Sequence, residues 1–340
     1  MDEVGKPKTI FVIFFGLFFL SFFILLYPSC KKAQEPPGPK EKVTLGVGSP
    51  FLAMPIILAQ EKGFYSNEGL EATLKHYPSG QKAMEAMFSG EVDIATVADT
   101  PLVLTGFIRD DFVVFATFVS SYDENKVLGR RDRGVSTPSD LRGKTIGIVK
   151  GTSSDFFAHV YLTEHLIDPS TVKLVDLQPT DLPSALTEGR VDAIVVFGVH
   201  AYRALKALPG RIAKLPPSDL YRLTFNLTCR REVAKGNPGV LRKVLKAVDK
   251  GIVHINRYHE ESIALISKAF GIDKDAFERN DLIYELSLSH TLFVTLEDEA
   301  RWAIARRLTD KTKVPNYLDY VYPDAMREVR PDAVTVARER

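Results

Sequence analysis

The sequence predicts an α/β fold built as two similar lobes, and three observations carry that prediction. Gly90-Glu91-Val92-Asp93 runs into the apolar stretch 94–98, and 99 residues later Gly189-Arg190-Val191-Asp192 runs into 193–197. Just over 40 residues before each lies an apolar run that enters a Gly/Ser loop. The first is Leu45-Gly46-Val47-Gly48-Ser49-Pro50 and the second Ile146-Gly147-Ile148-Val149-Lys150-Gly151-Thr152-Ser153. Strand-like and helix-like stretches alternate through both copies, the pattern of mostly parallel sheets joined by right-handed crossovers and flanked by helices. Two such lobes enclose a cleft, a common seat for a small ligand.

The chain opens with residues 9–27, nineteen residues without a charge and with seven phenylalanines, preceded by Lys6 and Lys8. A stretch apolar all round for that length is an export signal or a membrane anchor. Its length, short for a span and long for a signal core, leaves both open. Leu25-Leu26-Tyr27-Pro28-Ser29-Cys30 resembles a bacterial lipoprotein processing site, with a small residue before the cysteine that would carry lipid. Tyr27 and Pro28 depart from that pattern. The plainer reading is an uncleaved anchor with an incidental cysteine. Residues 31–42, polar and proline-rich, read as a tether between membrane and folded part.

In the first lobe, 43–47 reads as a strand, 55–60 as a helix stopped by Gly63, and 70–76 as an alternating strand. Residues 81–89 form an amphipathic helix with Gly90 as its stop. The nearly all-apolar 92–97 is a strand covered on both faces. Thr100 caps the next helix, with Pro101 at its first position. The second lobe repeats the order: strand 145–149, a helix from Thr152 or Ser153 to about Glu164, strand 173–176, helix 182–187, strand 191–196, helix 201–208. Beyond Asn237-Pro238 the chain turns helical. Leu241, Val244, Leu245, Val248, Ile252 and Ile255 share one face of a helix over 240–258, and further helices are expected at 260–270, 275–280, 296–308 and 315–321.

Charge is balanced, 44 basic against 43 acidic residues, so nothing points to nucleic acid. The two cysteines make no disulfide framework, because a lipidated Cys30 cannot pair with Cys229. Cys229 reads as a small buried apolar residue.

Several segments resemble the solute-binding proteins of bacterial ABC importers, in the branch of taurine, alkanesulfonate, nitrate and thiamine-precursor binders. They are 55–74 (PIILAQEKGFYSNEGLEATL), 80–101 (GQKAMEAMFSGEVDIATVADTP), 140–157 (DLRGKTIGIVKGTSSDFF), 182–193 (LPSALTEGRVDA) and 231–256. The resemblance implies a two-lobed periplasmic binding protein fold of type II with a helical C-terminal part. Lobe one would be 43–129 plus 225–340 and lobe two 130–224, after an export segment 1–29 and a tether 30–42. Crossings at 128–134 and 224–228 would form a hinge that closes on the ligand. It also implies an extracytoplasmic, membrane-tethered monomer that delivers a small polar or anionic solute to an ABC permease and ATPase, with no cofactor.

Ligand contacts in that family come from loops at the strand ends facing the cleft, as expected for open α/β sheets. The candidates are Ser49, Pro50 and Phe51; Asp99 and Thr100; Thr152, Ser153, Ser154 and Asp155; and Phe197 to Val199. Thr100 and residues 152–154 sit at predicted helix starts, where free N–H groups and the dipole favour an anion. The plainer reading makes Thr100 and Thr152 simple caps, with Asp155 completing a capping box on Thr152. If Asp99 or Asp155 faces the cleft, it suits a cationic or donor group instead, and the ligand would be a zwitterion or a polar heterocycle. Phe197-Gly198-Val199 stands where the family often has Trp-Glu-Pro, so the aromatic is kept and the acid lost.

Enzymes of the same fold, a pyrimidine synthase and menaquinone-pathway enzymes, form an alternative. The synthase's cysteine-rich metal segment is missing, the seven histidines show no metal-ligand spacing, and no nucleophile elbow or phosphate loop is present. A ligand-sensing ectodomain is the other alternative.

Overall fold

The computed structural model describes residues 39–277 and 281–336. The expected export segment and Cys30 lie outside these residues. Within them no helix is long and apolar enough to cross a membrane.

The first lobe begins with β1 (Glu41–Val47), α1 (Met54–Glu61), α2 (Phe64–Asn67), β2 (Leu70–His76), α3 (Gly80–Phe88), β3 (Ile94–Ala98) and α4 (Asp99–Gly106). Then come β4 (Phe112–Ser121) and β5 (Asn125–Arg130). The second sheet is completed by β6 (Thr145–Ile148), α5 (Ser153–Glu164), β7 (Lys173–Asp176), α6 (Leu182–Thr187), β8 (Ala193–Phe197), α7 (Gly198–Ala207) and β9 (Ile212–Lys214). The chain returns through β10 (Leu223–Arg230), α8 (Arg231–Gly236), α9 (Pro238–Arg257), α10 (His259–Phe270), β11 (Ile283–Ser287), α11 (His290–Ala305) and α12 (Asp324–Val329).

The repeat read in the sequence is a repeat of topology. The first sheet has the order β11-β4-β10-β3-β1-β2 and the second β7-β6-β8-β5-β9. In each, three parallel strands are followed by an antiparallel strand leading across to or from the other sheet: β2-β1-β3 then β10, and β7-β6-β8 then β5. Both sheets are therefore mixed, parallel in the strands that the sequence shows and antiparallel where the crossing strands join. The Gly-x-Val-Asp motifs do the same work twice. Asp93 accepts from the Thr44 amide at 2.8 Å and Asp192 from the Thr145 amide at 2.9 Å, each tying the foot of its third strand to its first.

The chain passes between the sheets at 122–124 and 215–222. The expected hinge at 128–134 and 224–228 falls instead partly in β5 and wholly in β10, because β5 pairs with β8 and β10 with β3 and β4. The strands of the first sheet thus come from 41–121 and 223–287, and those of the second from 125–214. All ten residues of β4 are buried between β11 and β10. The face of α9 read from the sequence, Leu241 to Ile255, is buried as spaced. The helix expected at 315–321 is only a 3₁₀ turn at Tyr317–Tyr320. The one expected at 275–280 is a turn at Lys274–Ala276, and its last three residues lie outside the described residues.

Candidate functional site

Four helices start at the carboxyl ends of β2, β3, β6 and β8 or just beyond them, and all four starts face one narrow cavity between the sheets. Ser79 precedes α3 and accepts from the Lys82 amide at 3.3 Å. Ala98 precedes α4, Thr152 precedes α5, and Phe197 precedes α7. Ser79, Gly80, Ala98, Thr152, Ser153 and Phe197 all line the cavity, which has a volume of ≈ 30 Å³. That is room for about two waters. Each helix start brings backbone N–H groups and the positive end of its dipole, so their convergence favours a negative group. No lysine or arginine lines the cavity. Neutral donors and dipoles therefore supply the attraction.

The packing of the first-sheet wall needs glycine at one point. A Cβ on Gly80 would lie 2.9 Å from the Thr96 carbonyl oxygen. The same position gives the β1 loop room to approach, where the Gly48 amide donates to Thr96 Oγ1 at 2.9 Å.

Beside the start of α7 the cavity holds a group that sequence reasoning missed. Glu124 stands in the crossing before β5 and lines the cavity with its side chain only 1 % exposed. Neither carboxylate oxygen has a hydrogen-bond partner among the described residues, and the Oγ of Ser49, another lining residue, has none either. Burial pushes the Glu124 carboxyl up to about 7. Lys126 pulls it down, Asp123 raises it further, and the Gly198 amide at the start of α7 lowers it. Gly198 makes this corner possible. Its φ is +55°, and a Cβ there would sit 3.0 Å from Ser49 Oγ and 3.2 Å from Glu124 Oε1.

The expected site residues divide into two groups. Ser49, Thr152, Ser153 and Phe197 line the cavity. Thr152 Oγ1 donates to the Val149 carbonyl at 2.7 Å and accepts from the Ser154 amide, so it caps α5 as well. Ser153 Oγ bonds Asn125 Oδ1 at 3.1 Å. Phe51, Asp99, Thr100, Ser154 and Asp155 are turned to structural work. The Phe51 ring packs edge-on against Phe277 at 4.5 Å, and its carbonyl accepts from Tyr284. Ser154 Oγ donates to Val195 O at 2.7 Å and accepts from the Val149 amide, joining α5 to β6 and β8.

Asp99 accepts from Tyr221 Oη, the Thr224 amide and hydroxyl, and the Thr100 amide. Because Asp99 takes that amide, α4 begins at Asp99 and Thr100 is not its cap. The Thr100 hydroxyl donates instead to Glu299 Oε1 at 2.9 Å. Burial raises both carboxyls of this pair, Glu299 the more. The four donors on Asp99 hold its carboxyl down against that burial. Asp155 also departs from the expected box. It accepts from the Gly151 amide at 3.0 Å, while the Thr152 amide goes to Val149 O. Burial raises its carboxyl.

Glu124 escaped notice because it follows a polar turn, Tyr122-Asp123, where charge is ordinary. The available signal was its place just ahead of a strand that begins at the cleft. Cys229 is buried in β10 and its thiol is pushed up to about 12, as expected of a core residue.

A family model described as NMT1/THI5 like matches residues 51–261, which takes in every lining residue except Ser49. The chain belongs to the NMT1/THI5 like family. A protein of Bacillus subtilis (strain 168) named for binding aliphatic sulfonates is 24 % identical over 77 % of this chain and 80 % of its own length. The alkanesulfonate-binding protein SsuA from Xanthomonas axonopodis pv. citri, solved bound to MOPS, superposes with a TM-score of 0.71. It is 19 % identical and covers 86 % of this chain and all of its own. This NMT1/THI5 like chain thus has the periplasmic binding protein fold. Desulfurization enzyme DSZB shares the fold at TM-score 0.63 and 13 % identity, over 85 % of this chain and 98 % of its own.

Proposed function

We propose that this chain is an extracytoplasmic solute-binding protein that captures a small oxyanion, of the alkanesulfonate class, between its two lobes and delivers it to an ABC importer. The carrying observation is the convergence of four helix starts on one narrow cavity without a lysine or arginine in its lining. A sulfonate is a permanent anion with three acceptor oxygens, matched to several N–H donors at once. The sulfonate-binding names of the B. subtilis and Xanthomonas proteins support the same class, and MOPS is itself a sulfonate.

In this reading the lobes separate about the segments 122–124 and 215–222 to admit solute, since the cavity as it stands holds only about two waters. Residues 9–27 export the chain and Cys30 carries its lipid anchor. The protein acts as a monomer beside its permease and ATPase. A catalytic reading finds less support, because the lining residues include neither cysteine nor histidine and offer no paired base and nucleophile.

A thermal-shift screen of alkanesulfonates, nitrate, pyrimidines and aromatic acids tests the reading. An alkanesulfonate at about 100 times its Kd should stabilise the chain by roughly 2.7 kcal/mol. Stabilisation by a pyrimidine and by no sulfonate would replace it.

A further inference from the structure

We propose that the cleft takes up its oxyanion together with one proton, and that Glu124 holds this proton as a neutral carboxyl group donating to the anion. This rests on the oxyanion reading above and adds to it a donor that exists only while it is protonated.

An anion cavity lined by an acid is a contradiction unless the acid is neutral. Among the described residues Glu124 is the only titratable side chain in the lining. It stands beside the start of α7. Its Oε1 lies 3.2 Å from the point where a Gly198 side chain would begin, and Ser49 Oγ lies 3.0 Å from the same point. An anion drawn to the helix starts therefore comes next to Glu124, in a cavity of only ≈ 30 Å³. Two negative charges that close and out of water cannot both persist, so one of them takes a proton. A sulfonate, the anion of a strong acid, leaves that proton to the carboxyl. Protonated, Glu124 is an O–H donor, and the Ser49 hydroxyl beside it is another. The oxygens of both are without a hydrogen-bond partner among the described residues, whereas buried polar groups are nearly always paired. A bound oxyanion gives both a partner.

The groups around Glu124 leave this proton to it. The ammonium of Lys126, two residues along the chain, donates to the Asp123 carbonyl and pairs with the Asp123 carboxylate at 3.4 Å. Lys214 pairs with the same carboxylate at 2.9 Å. Tyr284 of β11 donates to the Phe51 carbonyl, and burial raises its hydroxyl well above the ordinary tyrosine value. His200 in the first turn of α7 is lowered to about 4 by burial, so it is neutral at pH 6 and above. Asp99 and Asp155, in the first turns of α4 and α5, accept from backbone amides and do not line the cavity. Burial already raises the solute-free Glu124 carboxyl to about 7, and an anion beside it raises it further. Affinity for the anion is then constant below about pH 7 and falls about tenfold per pH unit above it.

The test is calorimetry of ethanesulfonate with the detergent-purified full chain, in sulfonate-free buffers from pH 6 to pH 9. Affinity should fall about 100-fold across that range, and at pH 8 the heats in two buffers of different ionisation enthalpy should show uptake of about one proton. In Glu124→Gln, whose amide donates at every pH, the fall should disappear. In Lys126→Arg, which stays charged throughout, it should remain. Binding without proton uptake overturns the role of Glu124 and leaves the oxyanion reading standing. A fall that survives in Glu124→Gln, or vanishes in Lys126→Arg, does the same. No binding at either end of the range overturns both. Proton uptake by the wild type together with either variant decides the matter, so one variant that fails to fold leaves the test intact.

Discussion

Tyr221, in the segment that returns from the second sheet to the first, donates its hydroxyl to Asp99 Oδ1 at 2.5 Å. With the Thr224 amide on the other oxygen, Asp99 becomes the knot between the start of α4 and the returning chain. Asp99→Asn should therefore lower stability by about 1–3 kcal/mol, since one buried partner is lost or reversed. Solute affinity should not change. Chemical denaturation and calorimetry on the same variant read the two effects separately, and a selective loss of affinity would return Asp99 to the binding site.

Gly198→Ala tests the corner where the two unpartnered acceptors meet. The new methyl group would enter the space 3.0 Å from Ser49 Oγ, at a φ of +55° that alanine adopts with strain. We expect solute binding to be lost with only about 1 kcal/mol of stability. Normal binding by this variant would show that the ligand does not approach Glu124.

Glu124→Gln should raise the stability of the solute-free protein at alkaline pH. The carboxyl titrates near 4.5 when unfolded and about 7 when folded. The folded state thus holds its proton more tightly, and the wild type loses stability as pH rises from about 4.5 through about 7. The loss approaches about 3 kcal/mol above that window. Glutamine keeps the shape without the charge. Melting temperatures of the two proteins should match near pH 4.5 and separate above pH 7, with the variant higher. Lys126 and Tyr284 both feel the Glu124 charge, so the comparison reads Glu124 together with its pairing to them. Parallel curves across the whole range would mean that Glu124 is not held in the buried state described.

Asp273 follows α10 of the first lobe and meets Lys206 and Tyr202 of α7 in the second, with Tyr202 Oη donating at 2.6 Å. This contact joins the first lobe to a helix of the second. Lys206 and Asp273 are exposed, so solvent screens the contact. Asp273→Asn should speed solute release by no more than about fivefold and leave association nearly unchanged, as stopped-flow fluorescence would show. An unchanged release rate would remove this contact from the closure.

The sequence made the parallel half of each sheet legible, because Gly-x-Val-Asp marks the foot of β3 and β8 and the Gly/Ser loops mark the ends of β1 and β6. It left β4, β5, β9, β10 and β11 unassigned. In β4 all ten residues are buried, so neither period 2 nor period 3.6 shows in the run. Missing β5 and β10 also displaced the hinge. At the cleft, the residues just before helix starts, Thr152 and Phe197, and the first residue of one, Ser153, were found by their position. Asp99 and Thr100 occupy an equivalent position but are drawn away by Tyr221, Thr224 and Glu299, partners more than a hundred residues distant in sequence. Glu124 was hidden for the converse reason. Nothing local distinguishes a carboxylate in a turn from one that tertiary packing strips of water.

The most direct test of solute capture is a crystal grown with an alkanesulfonate and measured for the anomalous signal of sulfur. The account predicts one sulfur peak, apart from those of cysteine and methionine, between the starts of α3, α4, α5 and α7. A sulfur peak outside this cleft, or none at a saturating concentration, would contradict it.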